Sequence, residues 1–180
     1  MMYGSILVLA LSLSSQVSEK PVVHYDKFDD ITVISTNLGK IPGSDAKKSD
    51  ITLIVSHEGK NPKKFTDAKL LITFSRSDED FAWKDDIIHE VAMMCGDDHI
   101  PIFSLSGLPP YARYESKSYP AIATCTETFF VNLSLRKSKE FLKTNKDWEV
   151  RIDFDDPFVL DAKYRAKMLS FIRFLEEGGG

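Results

Sequence analysis

The sequence predicts an α+β protein that is mostly antiparallel β, with a sandwich-like sheet core and a C-terminal helix packed on it. Three observations support this fold class. Short runs in which apolar and polar residues alternate recur along the chain, as in half-buried strands. Turn-forming residues separate these runs, which suits antiparallel connections. Near the C-terminus, the apolar residues instead follow a helical period.

Length and composition indicate one globular domain of ordinary size. The chain has 180 residues, of which 43% are hydrophobic and 28% charged, and its formal net charge is −4. These values are typical of a folded domain with a sizeable core. A mildly acidic chain does not indicate a nucleic-acid partner, which would normally require a basic face. Basic residues do cluster at Arg136, Lys137, Lys139 and Lys143, where a solvated helix face accounts for them.

The first residues, MMYGSILVLALSLSSQ, contain neither charge nor proline. An apolar core from Ser5 to Leu13, followed by small residues and then a polar chain, is typical of an export signal. We therefore interpret residues 1–16 as a signal peptide and 17–180 as a single globular domain, which predicts a periplasmic or secreted protein. Since no Lys or Arg precedes the apolar core, the alternative is a buried first strand of a cytoplasmic domain. No stable membrane span is predicted, because crossing a bilayer takes about 20 apolar residues.

Alternating runs predict strands over residues 31–36, 51–56, 70–75 and, most strongly, 121–135. Gly39, Pro42, Gly43 and Asp45 mark the turn after the first run. With the further elements described below, the pattern predicts about eight strands and two helices.

The sequence pattern predicts that the region from Phe81 to Phe103 forms a hairpin. IIHEVAMMC leads into Gly96-Asp97-Asp98 and HIPIF leads out, and such a turn between apolar segments favours a hairpin. The alternative is a helix over IIHEVAMM, because Ile88, Val91 and Ala92 have helical spacing.

A proline-rich stretch over residues 106–120 predicts a long loop, and it carries the best binding candidates. Tyr111, Arg113, Tyr114 and Tyr119 cluster there. Tyrosine and arginine are favoured at interfaces because they combine contact area with a polar end. The alternative is that the tyrosines hold this loop against the sheet.

Two helices are predicted in the last part of the chain. A short helix begins at Ser138, which is a plausible cap. A strand is predicted next, over the segment WEVRIDF. Asp161 caps the C-terminal helix, whose apolar stripe is Tyr164, Met168, Phe171, Ile172 and Leu175, and the terminal glycines end it.

The two cysteines, Cys95 and Cys125, are a candidate disulfide in an exported protein. The bridge would close a loop of about 30 residues and contribute about 3–4 kcal/mol in the chain-entropy model. Both cysteines lie in apolar runs, VAMMC and AIATC, so buried free thiols are the slightly favoured alternative. Two distant cysteines without a histidine at ligand spacing do not predict a zinc site.

Motifs for catalysis and for cofactor binding are absent from the sequence. His24, His57, His89 and His99 are widely spaced, and Met93 stands where HExxH would need its second histidine. Neither a GxSxG elbow nor a glycine-rich phosphate loop occurs. The carboxylates of RIDFDDP lack the central glycine and distal glutamate of an EF-hand. We therefore predict no catalytic residue, no metal and no cofactor.

Four segments resemble a diffuse set of exported bacterial β-sandwich-like domains of unknown function. They are YDKFDDITVIST, FAWKDDIIHEVAMMCGDDHIPI, the strand opening at Glu127, and WEVRIDFDDPFVLDAKYRAKMLSFIRFL. In that set, a short helix precedes a strand with an Arg-Ile pair, and a strand and a final helix follow. Arg151-Ile152 and Phe158-Val159-Leu160 are similar. The resemblance implies a β-sandwich-like fold and implies no activity.

The resulting functional prediction is a non-catalytic exported binding or interaction domain. Its partner would be an unknown protein or small molecule, with no nucleic acid. The alternative is a hydrolase or other enzyme whose site is assembled from distant residues. That alternative requires His89 or His99 to lie near an acidic residue and a nucleophile.

Overall fold

The computed structural model describes residues 20–46, 48–60, 69–78, 91–102, 111–118, 122–152 and 156–178, and at 69 and over 76–78, 111–118 and 122–129 it describes the backbone. In this part of the chain, ten strands form two antiparallel sheets, and two helices accompany them, which confirms the α+β class. In chain order the elements are β1 (Val22–Asp26), β2 (Ile31–Gly39), β3 (Lys48–Glu58), β4 (Lys69–Asp78), β5 (Val91–Cys95), β6 (Asp98–His99), β7 (Tyr111–Ser118), β8 (Ile122–Ser134), α1 (Leu135–Leu142), β9 (Trp148–Ile152), β10 (Phe158–Leu160) and α2 (Ala162–Glu176).

The larger sheet has six strands in the order β1-β2-β3-β4-β8-β7, so β1 and β7 are its edges among the described strands. Every neighbouring pair is antiparallel. The register between β2 and β3 shifts at Asn37 and Gly39, and Gly39 has a φ of 125° there. Glycine suits this bulge because other residues rarely adopt a positive φ.

The smaller sheet has the order β10-β9-β5-β6. β5 and β6 pair across the turn at Gly96 and Asp97, which confirms the predicted hairpin for the described residues from 91 onward. Val91, Met93 and Cys95 are buried and alternate with half-buried residues. This period of two belongs to a strand, so the alternative helix is wrong for Val91 and Ala92. Residues 81–90 lie outside the described residues.

The short helix α1 begins directly where β8 ends. Its N-cap is Ser134, whose Oγ accepts a hydrogen bond from the backbone N–H of Lys137. The predicted cap, Ser138, is instead buried inside the helix, on the same face as Leu135 and Leu142. The predicted start was therefore four residues late, because the strand-like pattern of β8 continues in sequence up to the first helical residue.

The C-terminal helix α2 matches its prediction. Asp161 caps it by accepting hydrogen bonds at Oδ1 from the backbone N–H groups of Lys163, at 2.9 Å, and Tyr164, at 3.4 Å. Four apolar residues at helical spacing are buried, namely Met168, Phe171, Ile172 and Leu175.

Both sheets and α2 contribute to one apolar core. Leu53, Ile72 and Phe74 of the six-stranded sheet belong to the same buried cluster as Met93 and Trp148 of the smaller sheet. The rings of Phe74 and Phe158 meet edge to face, with centroids 5.8 Å apart. Burial of these faces is the main stabilising contribution, since apolar area removed from water gives about 25 cal/mol per Å².

Polar contacts hold α2 in place over the sheet and beside α1. The Tyr164 hydroxyl donates to the carbonyl oxygen of Lys40 at 2.5 Å, and Lys167 Nζ donates to that of Leu38 at 2.7 Å. Arg165 pairs with Asp147 at 2.5 Å. On α1, Lys139 forms an ion pair with Glu176. Lys139 thus belongs to the seam between the helices, whereas Arg136, Lys137 and Lys143 are exposed, as expected of a solvated face.

β2 is buried on both faces, although its alternation predicts a half-buried strand. Every residue over 31–36 is at most 9% exposed. Ile31 and Val33 form a second, smaller cluster with Ile54 on the face that points away from the main core. Among the described helices, none is long and apolar enough to cross a membrane.

Candidate functional site

The tyrosines predicted to lie on a loop lie instead on an edge strand. Residues 111–118 form β7, which pairs with β8 along its whole length. The loop prediction for these residues is therefore wrong: Pro109 and Pro110 precede the strand and Pro120 follows it, so none of them interrupts it, and β8 supplies the hydrogen-bonding partner. Tyr119 lies outside the described residues.

The register places the predicted binding residues at separate positions of the sheet. Tyr111 pairs with Phe129, Arg113 with Glu127, and Tyr114 with Thr126. Tyr111 and Tyr114 are an odd number of positions apart, and alternate residues of a strand belong to opposite faces. These two tyrosines therefore do not share one face of the sheet, which the loop interpretation would have allowed.

Cys95 is a free thiol and is fully buried in β5. Its Sγ lies 3.9 Å from the carbonyl oxygen of Phe141 and 3.5 Å from the Thr144 hydroxyl. The candidate bridge from Cys95 to Cys125 is not formed in the structure, and Cys125 lies on β8 of the other sheet. Cys95 is therefore a buried free thiol, as the alternative prediction expects.

The described histidines do not converge. His24 on β1 pairs with Val33, whereas His57 on β3 pairs with Thr32, the next residue of β2. They therefore belong to opposite faces of the six-stranded sheet, and His99 lies on β6 of the smaller sheet. His89 is outside the described residues. Within the described ranges, no group of three or more His, Cys, Asp or Glu side chains is placed to hold a metal ion.

The most distinctive surface feature is the turn between β1 and β2, formed by Asp26, Lys27, Phe28, Asp29 and Asp30, which we call the acidic turn. Phe28 at its tip is 87% exposed, and Lys27 Nζ lies 5.1 Å from the centre of its ring. The other exposed large hydrophobic residues of the described chain are Val23, at 48% on β1, and Val159, at 47% on β10.

Hydrogen bonds hold the acidic turn in one shape. Asp26 Oδ1 accepts from the backbone N–H of Phe28 at 2.8 Å and more weakly from that of Asp29 at 3.4 Å. Asp30 closes the turn at a φ of 52°, a left-handed conformation that aspartate tolerates better than most residues. Tyr25 donates from its hydroxyl to Asp30 Oδ1 at 2.8 Å. This is the four-residue type of hairpin connection.

A second segment braces the acidic turn from the end of β3. The backbone N–H of Gly59 donates to the carbonyl oxygen of Asp30 at 2.7 Å, and the Thr32 hydroxyl donates to the carbonyl oxygen of Gly59 at 2.7 Å. Gly59 has a φ of 82°, which suits glycine. Lys60 follows, with its Nζ 6.0 Å from the centre of the Tyr25 ring.

The electrostatics of the acidic turn are set by three carboxylates and one ammonium group. The hydrogen bond that Tyr25 donates to Asp30 is the largest cause that raises the pKa of this phenol above 10.0, and the negative charges of Asp30 and Asp26 add to it. Tyr25 therefore stays a neutral donor at physiological pH. The turn presents an apolar ring surrounded by net negative charge.

Sequence reasoning missed this site, although a signal was present. Phe28 stands among charged residues in YDKFDD, immediately before the alternating run of β2. An aromatic residue inside a charged, turn-forming stretch is typical of a hairpin tip that leaves the ring in solvent. The preceding VVHYD was not predicted as a strand, so the hairpin was not recognised.

Comparisons with protein-family models, with curated proteins and with solved structures find no match to this chain.

Proposed function

We propose that the protein is a non-catalytic interaction domain that acts in the periplasm or outside the cell, and that it binds another protein through the acidic turn. The single observation that carries the proposal is Phe28, a large apolar side chain 87% exposed at the tip of a turn with a fixed shape. Export remains the interpretation of residues 1–16. The resemblance to exported β-sandwich-like domains is compatible with the same role.

The rigidity of the acidic turn supports a role as a binding anchor. Binding costs free energy when loops and side chains must be ordered, and a turn that is already held by hydrogen bonds avoids much of this cost. Asp26 and Asp30 supply those bonds from both ends of the turn. Full burial of a phenylalanine side chain contributes about 2 kcal/mol, so Phe28 alone can supply a substantial part of a moderate affinity.

The charge of the acidic turn indicates the chemistry of its partner. Asp26, Asp29 and Asp30 surround Phe28, and Lys27 offsets one of their charges. A protein with an apolar pocket and a basic rim would complement both features, because opposite charges steer association and disfavour wrong partners. An anionic membrane surface does not fit, since the carboxylates would be repelled.

The tyrosines of β7 remain a second prediction for the same function. An edge strand can bind an extended segment of a partner by adding it to the sheet. If this edge contributes, replacing both Tyr111 and Tyr114 with alanine should weaken capture of a native partner without lowering the melting temperature. Unchanged capture would remove β7 from the proposal and leave the acidic turn.

The decisive variant is Phe28→Ala, with Val159→Ala as its matched control because both remove an exposed apolar side chain from the surface. We expect Phe28→Ala to weaken binding of the native partner about thirtyfold, the equivalent of about 2 kcal/mol, and to leave the melting temperature unchanged. Val159→Ala should bind normally. The measurement is quantitative co-purification from the native host. A binding titration then follows, using the protein that co-purifies with the wild type but not with Phe28→Ala.

A further variant tests the shape of the turn separately from its ring. Asp26→Ala keeps Phe28 but removes the acceptor of two backbone N–H groups. We expect weaker binding than in the wild type, because the free turn must then be ordered on association.

If Phe28→Ala and Val159→Ala recover the same proteins in the same amounts as the wild type, the proposed function is wrong.

A further inference from the structure

The exposed ring of Phe28 is too small for a specific protein contact by itself, so a contact at the acidic turn must continue onto neighbouring surface. A standard protein interface buries roughly 1,200 Å² or more in total, and a phenylalanine supplies on the order of 200 Å² of it. On the β2 side of the turn, Ile31 and Thr32 are only 5% and 1% exposed. The β1 side differs, because Val23 is 48% exposed.

Val23 and Tyr25 lie on one face of β1. In the pairing with β2, Val23 is opposite Ile34 and Tyr25 is opposite Thr32. Alternate residues of a strand share a face and lie about 7 Å apart, so the two side chains are neighbours. Tyr25 is half-buried and leads into the acidic turn, where Phe28 is exposed at the tip. We call Val23, Tyr25 and Phe28 the β1 strip.

Tyr25 fixes the middle of the β1 strip. Its hydroxyl donates a hydrogen bond to Asp30 Oδ1 at 2.8 Å, and Lys60 Nζ lies 6.0 Å from the centre of its ring. Because the same hydrogen bond helps to close the acidic turn, Tyr25 connects the strand to the tip. A surface that is already ordered loses less conformational entropy on binding. The β1 strip is therefore suited to contact one partner along its whole length.

Charge is distributed unevenly along the β1 strip. Three carboxylates lie at its tip end, on Asp26, Asp29 and Asp30. Lys27 offsets one of these charges, and in the middle of the strip Lys60 places an ammonium group beside Tyr25. Val23 carries no charge and lies about 10 Å along the strand from Asp26. Basic groups of a partner would therefore be attracted at the tip end and repelled by Lys60.

We propose that the partner protein binds the whole β1 strip in an apolar groove that is basic only at the end that receives Phe28. This inference rests on the proposed function, since it names the surface with which the partner contacts the acidic turn. It adds Val23 and Tyr25 to the contact. It also fixes the direction of the groove on the hairpin, because one orientation alone places the basic end against the carboxylates.

The test places a photo-crosslinking phenylalanine analogue at position 23 and, separately, at position 28 of the full chain in its native host. We expect both positions to form an adduct with the same protein, and the analogue at position 159 to form none. Mass spectrometry of the adducts then maps the groove. The partner peptide joined to position 28 should lie beside lysine or arginine residues, and the one joined to position 23 should be apolar.

A binding titration with the crosslinked protein measures the contribution of Val23. Val23→Ala should raise the Kd about fivefold, because much of the valine side chain is still exposed and becomes buried on binding. Val159→Ala is the matched control, since the two valines are 48% and 47% exposed and both lie on strands. It should leave the Kd unchanged.

A second variant keeps the test valid if Val23→Ala does not fold. Val23→Thr keeps the β-branched shape that suits a strand and replaces one methyl group with a hydroxyl. It should also weaken binding, because the hydroxyl would be buried in an apolar groove.

The inference is overturned, and the proposed function survives, if Phe28→Ala weakens binding while Val23→Ala and Val23→Thr bind like the wild type. It is also overturned if position 23 forms no adduct, or forms one with a different protein or with a second copy of this chain. Basic partner residues beside position 23 would contradict the proposed direction of the groove. The absence of an adduct at position 28 would count against the proposed function and this inference together.

Discussion

Individual polar side chains decide how the ends of the elements are held. Asp30 adopts a left-handed conformation, and its carboxylate accepts a hydrogen bond from the Tyr25 hydroxyl. These two features together close the acidic turn. Tyr164 has a similar role at the other end of β2. Its hydroxyl donates a hydrogen bond to the carbonyl oxygen of Lys40, which follows the bulge at Gly39. In both cases, one phenol ties an irregular segment to a regular one.

Tyr164 gives a prediction about pH. Burial, followed by the negative charge of Asp161, raises the pKa of Tyr164 in the folded protein above its ordinary value of 10.0. Below pH 10.0, the phenol is protonated in the folded and unfolded states alike, and its contribution to stability is fully present. Above that pH, the unfolded chain loses its proton first, so the free energy of unfolding should fall as the pH rises through the raised pKa.

The comparison with Tyr164→Phe isolates this effect. The variant removes one hydrogen bond and should be about 1 kcal/mol less stable at pH 7. Since its phenylalanine does not titrate, the difference between wild type and variant should shrink above pH 10.0. Urea unfolding of both proteins from pH 7 to alkaline pH measures it. Because all other tyrosines and lysines are shared, curves that stay parallel would show that Tyr164 is not buried against the fold as described.

The two helices differ in how well their first turns are capped. Asp161 accepts from two backbone N–H groups and places a negative charge at the N-terminus of α2, where the helix dipole favours it. Ser134 makes one long bond of 3.4 Å at the start of α1. The geometry therefore ranks the cap of α2 above that of α1.

This ranking can be measured with one pair of variants. Asp161→Ala should lower the free energy of unfolding by about 1 kcal/mol, and Ser134→Ala should lower it less. Urea denaturation followed by far-ultraviolet circular dichroism gives both values. An equal cost for the two substitutions, or a larger cost for Ser134→Ala, would contradict the cap geometry of α2.

Elements with a strong local pattern were predictable from the sequence, and the two edge strands of the six-stranded sheet, β1 and β7, were not. Apolar residues recur at regular spacing in β2, β3, β4, β8 and α2, because each of these elements buries a face in the core. β1 and β7 carry weaker patterns, VVHYD and YARYESKS, because an edge strand is held from one side and packs less. The start of α1 was misplaced because no polar break separates it from β8.

The whole molecule depends on pairings between distant segments, which leave no local signal. β8 lies between β4 and β7, and β5 pairs with β9 from the far end of the chain. Such long-range contacts are dictated by how the apolar faces fit together after the strands have formed. The class of fold was therefore predictable, whereas the strand order and the division into two sheets were not.

The candidate site shows the same limit at the scale of the molecule. The tyrosines of β7 could be picked out as residues suited to binding, but only the sheet assigns them to an edge and to different faces. Phe28 stands in a charged stretch that suits a hairpin tip, but the pairing of β1 with β2 is what places it there. Exposure is a property of the assembled chain, so the structure is what establishes that Phe28 is 87% exposed.

The central claim is that Phe28 contacts another protein in the compartment where this chain acts. The most direct measurement replaces Phe28 with a photo-crosslinking phenylalanine analogue in the native host and identifies the adducts formed on irradiation. The same analogue at Val159 serves as the control. The account predicts an adduct with a distinct protein of the periplasm or cell exterior from position 28 and none from position 159. No adduct at position 28, or the same adducts at both positions, would contradict it.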